Sequence, residues 1–214
     1  MPRILHFTSS PGDWQALLPR KHWRIGYSAR TLAYSWLAAD GFPPEVVQAL
    51  RQTNDPLLAG LSPILAVPEF KVPLPGGVRA SQNDIFVLAR SVAGPVSIMV
   101  EGKVSESFGP TLDEWLREDS PGKRTRLQSL IHSLGLEKEP LGTIRYQLLH
   151  RTASAVLTGQ QYRAAAAIIL VHSFSQERAG WPDYRAFAHL FGVDAVEGVV
   201  QHLSSRSEVP LFGT

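Results

Sequence analysis

Two apolar runs separated by a short turn constrain this chain more than any other feature. They are Ser81-Gln-Asn-Asp84-Ile-Phe-Val-Leu-Ala-Arg90 and Val96-Ser-Ile-Met-Val-Glu101-Gly-Lys103-Val104. Apolar residues occupy both alternating sides of each run, the pattern of central strands buried between two layers. In the second run Met99, Glu101 and Lys103 share one face, and Ile98, Val100, Gly102 and Val104 share the other. A carboxylate and an ammonium two residues apart in such a strand are costly to bury without partners. Neighbouring strands would bring Asp84, Glu101 and Lys103 to one end of a sheet.

The remaining elements arrange themselves around that pair. Residues 1–27 read as irregular, broken by Pro2, Pro11-Gly12 and Pro19. Ser28 is placed to cap a helix over Ala29–Ala39 with a Leu32, Ala33, Trp36, Leu37 stripe. Pro43-Pro44-Glu45 opens a second helix carrying Val46, Val47 and Leu50. Ile64–Leu74 reads as a strand that Pro68 and Pro73 push to a sheet edge. After the loop Ser105–Pro110, Thr111 and Glu114 form a capping box for Leu112–Glu118, and a further helix covers Pro121–Leu134. Ile144–Leu157 is predicted helical, with Tyr146, Leu149, Ala153 and Val156 buried and Gln147, His150 and Arg151 on another side. Ala164–Phe174 is predicted as a strand parallel to the central ones, following a helical crossover. Trp181-Pro182-Asp183 starts a last helix that Gly192 stops, and Asp194–Thr214 reads as a short helix and a loose end.

A chain of 214 residues, 44% of them hydrophobic, suits a single domain over 1–214. It has no cysteine, which excludes disulfides and thiolate metal sites. With an N-terminus lacking a secretory apolar segment, that predicts a cytoplasmic protein. No apolar run approaches the ~20 residues of a membrane span, so no membrane partner is expected. A net charge of +2 is compatible with nucleic acid without arguing for it. Arg20-Lys-His-Trp-Arg24 is a small basic cluster, and Lys123, Arg124 and Arg126 crowd a helix start where the macrodipole disfavours cations. Each group fits a phosphate contact or a solvated face. Gly-x-Ser-x-Gly, P-loop, His-Glu-x-x-His and dinucleotide signatures are all absent from the sequence.

The order helix, three strands, helix, strand, with Asp84 seventeen positions before Glu101-Gly102-Lys103, resembles the PD-(D/E)XK, or restriction-endonuclease-like, superfamily. The resemblance implies an α/β core over residues 28–175: a helix, a three-strand mostly antiparallel meander, a helix and a parallel strand. Residues 105–143 would be a helical insertion and 176–214 a C-terminal helical extension. It further implies that Asp84 and Glu101 ligate Mg²⁺ or Mn²⁺ and that Lys103 sits by the attacking water. The implied partner is nucleic acid, DNA in preference to RNA, and a homodimer is left open. Asn83 stands where the superfamily pattern has proline. The glutamate that members often carry on the first helix has no counterpart in Ala29–Ala39, so that role falls to Glu45 or Glu69. Gln147 matches a glutamine that some relatives carry on the helix after the lysine strand. The stretches Ser-Gln-Asn-Asp, Val-Glu-Gly-Lys and Tyr-Gln-Leu-Leu-His-Arg also resemble a small bacterial family with no assigned function.

The chemistry of phosphodiester hydrolysis suits these residue types. It needs a nucleophilic water and neutralisation of charge on the phosphorane, which a hard cation held by one or two carboxylates supplies. Asp84 and Glu101 give two carboxylates, the Gly102 carbonyl a third oxygen, and Lys103 would orient or deprotonate the water. Glycine at 102 keeps the opposite side small enough for a helix or a substrate backbone. Gln147 and Arg151 would position phosphate or Lys103, although an exposed polar helix face accounts for them equally. Glu101 and Lys103 also fit a simple same-face salt bridge, and Asp84 fits a turn cap after Gln82-Asn83. His172 fits a hydrogen-bonded core histidine. The rival function is an inactive nuclease-like fold that binds protein or nucleic acid through Lys123–Arg126.

Overall fold

The computed structural model describes residues 8–39, 41–137, 139–203, 207 and 209–214. The irregular chain expected over residues 1–7 and the tail expected at 204–206 and 208 fall outside them. The described residues form a mixed α/β fold on one six-stranded, mostly antiparallel sheet of order β1-β2-β3-β4-β6-β5.

The two apolar runs are the centre of that sheet. β2 (Ser81–Ser91) and β3 (Gly94–Lys103) pair antiparallel around a two-residue turn, with Ile85 opposite Val100 and Ser91 opposite Gly94. β1 (Ser62–Val72) pairs antiparallel with β2 and forms one sheet edge, where Pro63 and Pro68 leave no unpaired amide behind. β4 (Ala166–Ser173) runs parallel to β3 on its other side, reached through helix α6 (Tyr146–Gln161). Helices then cover both faces. Phe86, Met99 and Ile169 point into a layer with Leu148, Leu149 and Ala153 of α6. Their neighbours Ile85, Ile98 and Ile168 point into a second layer with Leu32, Ala33 and Trp36 of α2 (Ser28–Ala38) and Val46 of α3 (Pro44–Gln52). Alternation between two apolar layers is why these strands read as continuously greasy.

α4 (Leu112–Leu116) carries the expected Thr111–Glu114 capping box, and α5 (Pro121–Leu134) ends at Gly135 in the left-handed conformation. α7 (Trp181–His189) buries Tyr184 and Phe187. Three expectations need correction. Ser28 is inside α2, not its cap; Tyr27 holds the cap position, and the Ser28 amide donates instead to Glu106 Oε1 at 2.5 Å. The N-terminal stretch is not wholly irregular, because Ser10 and Asp13 cap a short helix α1 (Pro11–Gln15) that buries Trp14. The extension over 176–214 is only partly helical: β5 (Gln201–Leu203) and β6 (Leu211–Gly213) complete the sheet, β6 parallel to β4 and antiparallel to β5. Three-residue strands are too short to show a period, and these draw their order from the apolar edge of β4 that Phe212 covers.

Candidate functional site

The site lies where β2 and β3 leave the sheet. Asp84 precedes Ile85, the residue paired with Val100, so the antiparallel register sets it across from Glu101. Its Oδ2 accepts the Gly102 amide at 2.8 Å, which ties the two strands together beyond their last ladder pair. On β1, Glu69 lies between Pro68, which pairs with Ile85, and Phe70, which pairs with Asn83, so it faces Asp84 from the other side. Glu69 has φ 54, a left-handed conformation costly for a residue with a Cβ. Three carboxylates therefore follow one another across three adjacent strands.

Their protonation reflects that crowding. Burial, then the charge of Glu101, pushes the half-buried Asp84 up to about 8, with Arg151 pulling it back. Asp84 consequently holds a proton at neutral pH. Burial likewise raises Glu69, against hydrogen bonds from Gln82 Nε2 at 2.7 Å and Trp14 Nε1 at 3.3 Å. Glu101 goes the other way. Burial would raise it, but the charges of Arg151 and Lys103 outweigh burial and keep it ionised.

Glu101 is the hub of a buried network. Its Oε1 accepts from Lys103 Nζ at 2.5 Å and Gln147 Nε2 at 2.7 Å, and its Oε2 accepts from Arg151 Nε at 2.6 Å. Lys103 also donates to Gln147 Oε1 at 3.1 Å and rests 4.7 Å from the centre of the Phe108 ring. Gln147 and Arg151 stand four apart on α6, one turn over the strand face that carries Glu101 and Lys103. Arg151 is 8% exposed, so the alternative of an exposed polar helix face does not apply to it. Its second nitrogen donates to Ser81 Oγ at 3.2 Å, and that hydroxyl lies 2.8 Å from His150 Nδ1. Ser81 Oγ thus joins Arg151 to the His150 ring, whose pKa burial and then Arg151 hold well below the ordinary value.

Behind the strand, the space opposite Gly102 is filled by α2. A Cβ at Gly102 would come within 2.8 Å of Leu32 Cγ and 3.0 Å of Ser28 Cβ, so glycine here serves helix packing.

The other expected residues lie elsewhere. Glu45, the alternative to Glu69, accepts from His172 Nε2 at 2.9 Å, and the Trp36 indole donates to His172 Nδ1 at 3.1 Å. Glu69, not Glu45, is the carboxylate whose charge reaches Asp84. Lys123 Nζ donates to the Trp115 carbonyl at 2.6 Å, and Arg124 pairs with Asp119 at 2.6 Å on the surface. Arg126 donates to the carbonyls of Leu74, Pro75, Gly77 and Arg79. Arg20, Lys21 and Arg24 stay exposed. Ser81 and Phe108 had no local signal, since both join the site only through strand pairing and loop return. Arg151 had one: its four-residue spacing from Gln147.

Among the described residues no group of three or more histidine or acidic side chains is gathered to hold a metal ion. Asp84, Glu101 and the Gly102 carbonyl still offer the hard oxygen set that Mg²⁺ takes with waters completing its shell. Glu101 Oε1 already accepts two donors, whereas Oε2 accepts one and keeps a lone pair. Burial, and after it the charge of Glu101, raises Asp84, and a cation between the two carboxylates would offset both, so the donors fit such an ion.

No helix among the described residues is long and apolar enough to cross a membrane. No curated protein and no solved structure matches the chain. Residues 7–214 match the family described as Domain of unknown function (DUF6946), and the chain belongs to that family.

Proposed function

We propose that this protein is a divalent-cation-dependent phosphodiester hydrolase acting on nucleic acid, built on a restriction-endonuclease-like core. The observation that carries the reading is geometric: Asp84 and Glu101 face each other at one strand end, Asp84 Oδ2 accepting the Gly102 amide at 2.8 Å and Lys103 Nζ donating to Glu101 Oε1 at 2.5 Å. The succession of helix, antiparallel strands, crossover helix and parallel strand supports it.

Asp84, Glu101 and the Gly102 carbonyl would hold Mg²⁺ or Mn²⁺, with Glu69 close enough to add charge. When bound, the ion would supply charge neutralisation at the phosphate and a more acidic water. Arg151 keeps Glu101 ionised and fixes its orientation. Gln147 holds the Lys103 ammonium, which donates toward the attacking water or a phosphate oxygen. Arg151, tied to Glu101 and Ser81, acts on phosphate only through that network. Lys123, Arg124 and Arg126 have internal partners, which gives them a structural employment besides any phosphate contact.

A second reading is favoured by the closure of the Glu101 network, whose donors are satisfied without a ligand: a nuclease-like binding module with no hydrolytic step. Incubation with single- and double-stranded DNA and with RNA in Mg²⁺ or Mn²⁺ separates the two. The hydrolase reading expects cation-dependent cleavage that Glu101→Ala and Lys103→Ala abolish. Cleavage unchanged in both variants removes the mechanism, and none by the wild type leaves the binding module.

A further inference from the structure

We propose that the cavity at the open end of β4 receives an unpaired nucleobase, so that the site acts on nucleotides outside a duplex. The inference rests on the hydrolase reading for the phosphate, but its binding test does not.

The cavity, of about 260 Å³, lies at the end of β4 beyond its ladder with β6. β6 pairs with β4 from Ala167 to Ile169 and Thr214 carries the hydrogen bonding on to the Val171 amide, while β4 continues to Ser173. The uncovered end is walled by Val46 and Ala49 of α3 on one side and by Trp181 and Tyr184 of α7 on the other, with Leu170 and His172 between them. Lys103 also lines it. Lys103 thus belongs both to the proposed hydrolytic site and to the lining of this recess, which is mostly apolar and aromatic but also includes the Arg178–Glu197 ion pair.

One polar group in the recess is rigidly set. The Trp36 indole can only donate, so His172 Nδ1 must accept and the ring proton of the neutral imidazole sits on Nε2. That proton goes to Glu45 Oε1 at 2.9 Å, which fixes a carboxylate whose side chain remains 52% exposed. A fixed acceptor on an apolar wall matches a flat ring carrying N–H donors on its edge. Such recognition combines stacking on an aromatic side chain with hydrogen bonding to the base edge. A base inside a duplex offers neither its face nor its pairing edge, so the ligand must be unpaired.

The test uses fluorescence polarisation in EDTA, where no cleavage occurs. The probes are a short labelled single strand, the same strand in a blunt duplex, and the strand with one abasic nucleotide. Wild-type protein is expected to bind the intact single strand about tenfold more tightly than the abasic strand, the scale of one stacked base. It should also prefer the single strand to the duplex. Trp181→Leu and Ala49→Phe, each checked for an unchanged urea midpoint, should bring the intact strand down to the affinity of the abasic one. Because the abasic comparison uses unmodified protein, a misfolded variant does not spoil it. Equal binding of all three probes, or binding of none, overturns the inference whatever the cleavage assay gives. Selective binding without cleavage keeps the cavity and discards the hydrolase.

Discussion

Replacing Asp84 by asparagine tests the electrostatics of the site without disturbing its shape. The amide oxygen can still accept the Gly102 N–H that Asp84 accepts at 2.8 Å. A rise from 3.8 to about 8 means that the folded protein holds a proton on Asp84 which the unfolded chain has released. Stability attributable to this group is therefore intact below about pH 4, falls as pH rises, and is fully lost above about pH 8. Roughly four pH units at 1.36 kcal/mol each set an upper bound of about 5 kcal/mol. Asp84 is half-buried, so solvent screening brings the expected figure to about 2–3 kcal/mol. Asparagine cannot ionise and escapes that loss. Urea unfolding of both proteins should show Asp84→Asn more stable by less than about 1 kcal/mol near pH 5, widening to about 2–3 kcal/mol near pH 9. Mg²⁺ at about a hundred times its Kd should then return about 2.7 kcal/mol to the wild type near pH 9 and far less to the variant. A stability difference that does not change with pH would refute the account of Asp84.

Two further outcomes follow, one from the Glu101 network and one from the contacts of His172. Arg151→Ala leaves the Glu101 carboxylate, 2% exposed, with one cation fewer, and should cost about 3–5 kcal/mol in urea unfolding at neutral pH; a loss under about 1 kcal/mol would mean that Lys103 alone compensates it. Trp36→Phe removes the donor that occupies His172 Nδ1, leaving that nitrogen free to take a proton. Burial, against the opposing charge of Glu45, keeps His172 below its ordinary 6.5 in the wild type, and NMR titration of the ring should show its pKa rising in the variant; an unchanged titration would deny the indole its role.

The centre of the fold was legible because its signal is local. Unbroken apolar runs in β2 and β3 announce burial on both faces, prolines announce the β1 edge, and Thr111 with Glu114 announces a helix start. The carboxylates and the lysine were legible for the same reason, being polar residues stranded in apolar strands. What failed depended on distant chain. Glu106, seventy-eight residues away, accepts the amide of Ser28 at the start of the helix that Ser28 was expected to cap with its own side chain. β5 and β6 carry no period of their own and exist only against β4. The partnership of Arg151 with Glu101 was half-visible: spacing put it beside Gln147, but only the crossover of α6 decides that this side of the helix faces inward.

Arg126 holds the turn between β1 and β2 through the turn's backbone. Its guanidinium takes the carbonyls of Leu74, Pro75, Gly77 and Arg79, while Gly76 passes so close to Gly122 that neither tolerates a Cβ. Such a clasp is indifferent to spelling but strict about number of letters. Val78 and Arg79 could be exchanged for other residues at little cost, whereas one residue inserted or removed there would pull the oxygens out of reach. Drift in this turn should therefore run to substitution, with gaps confined to other connections of the chain.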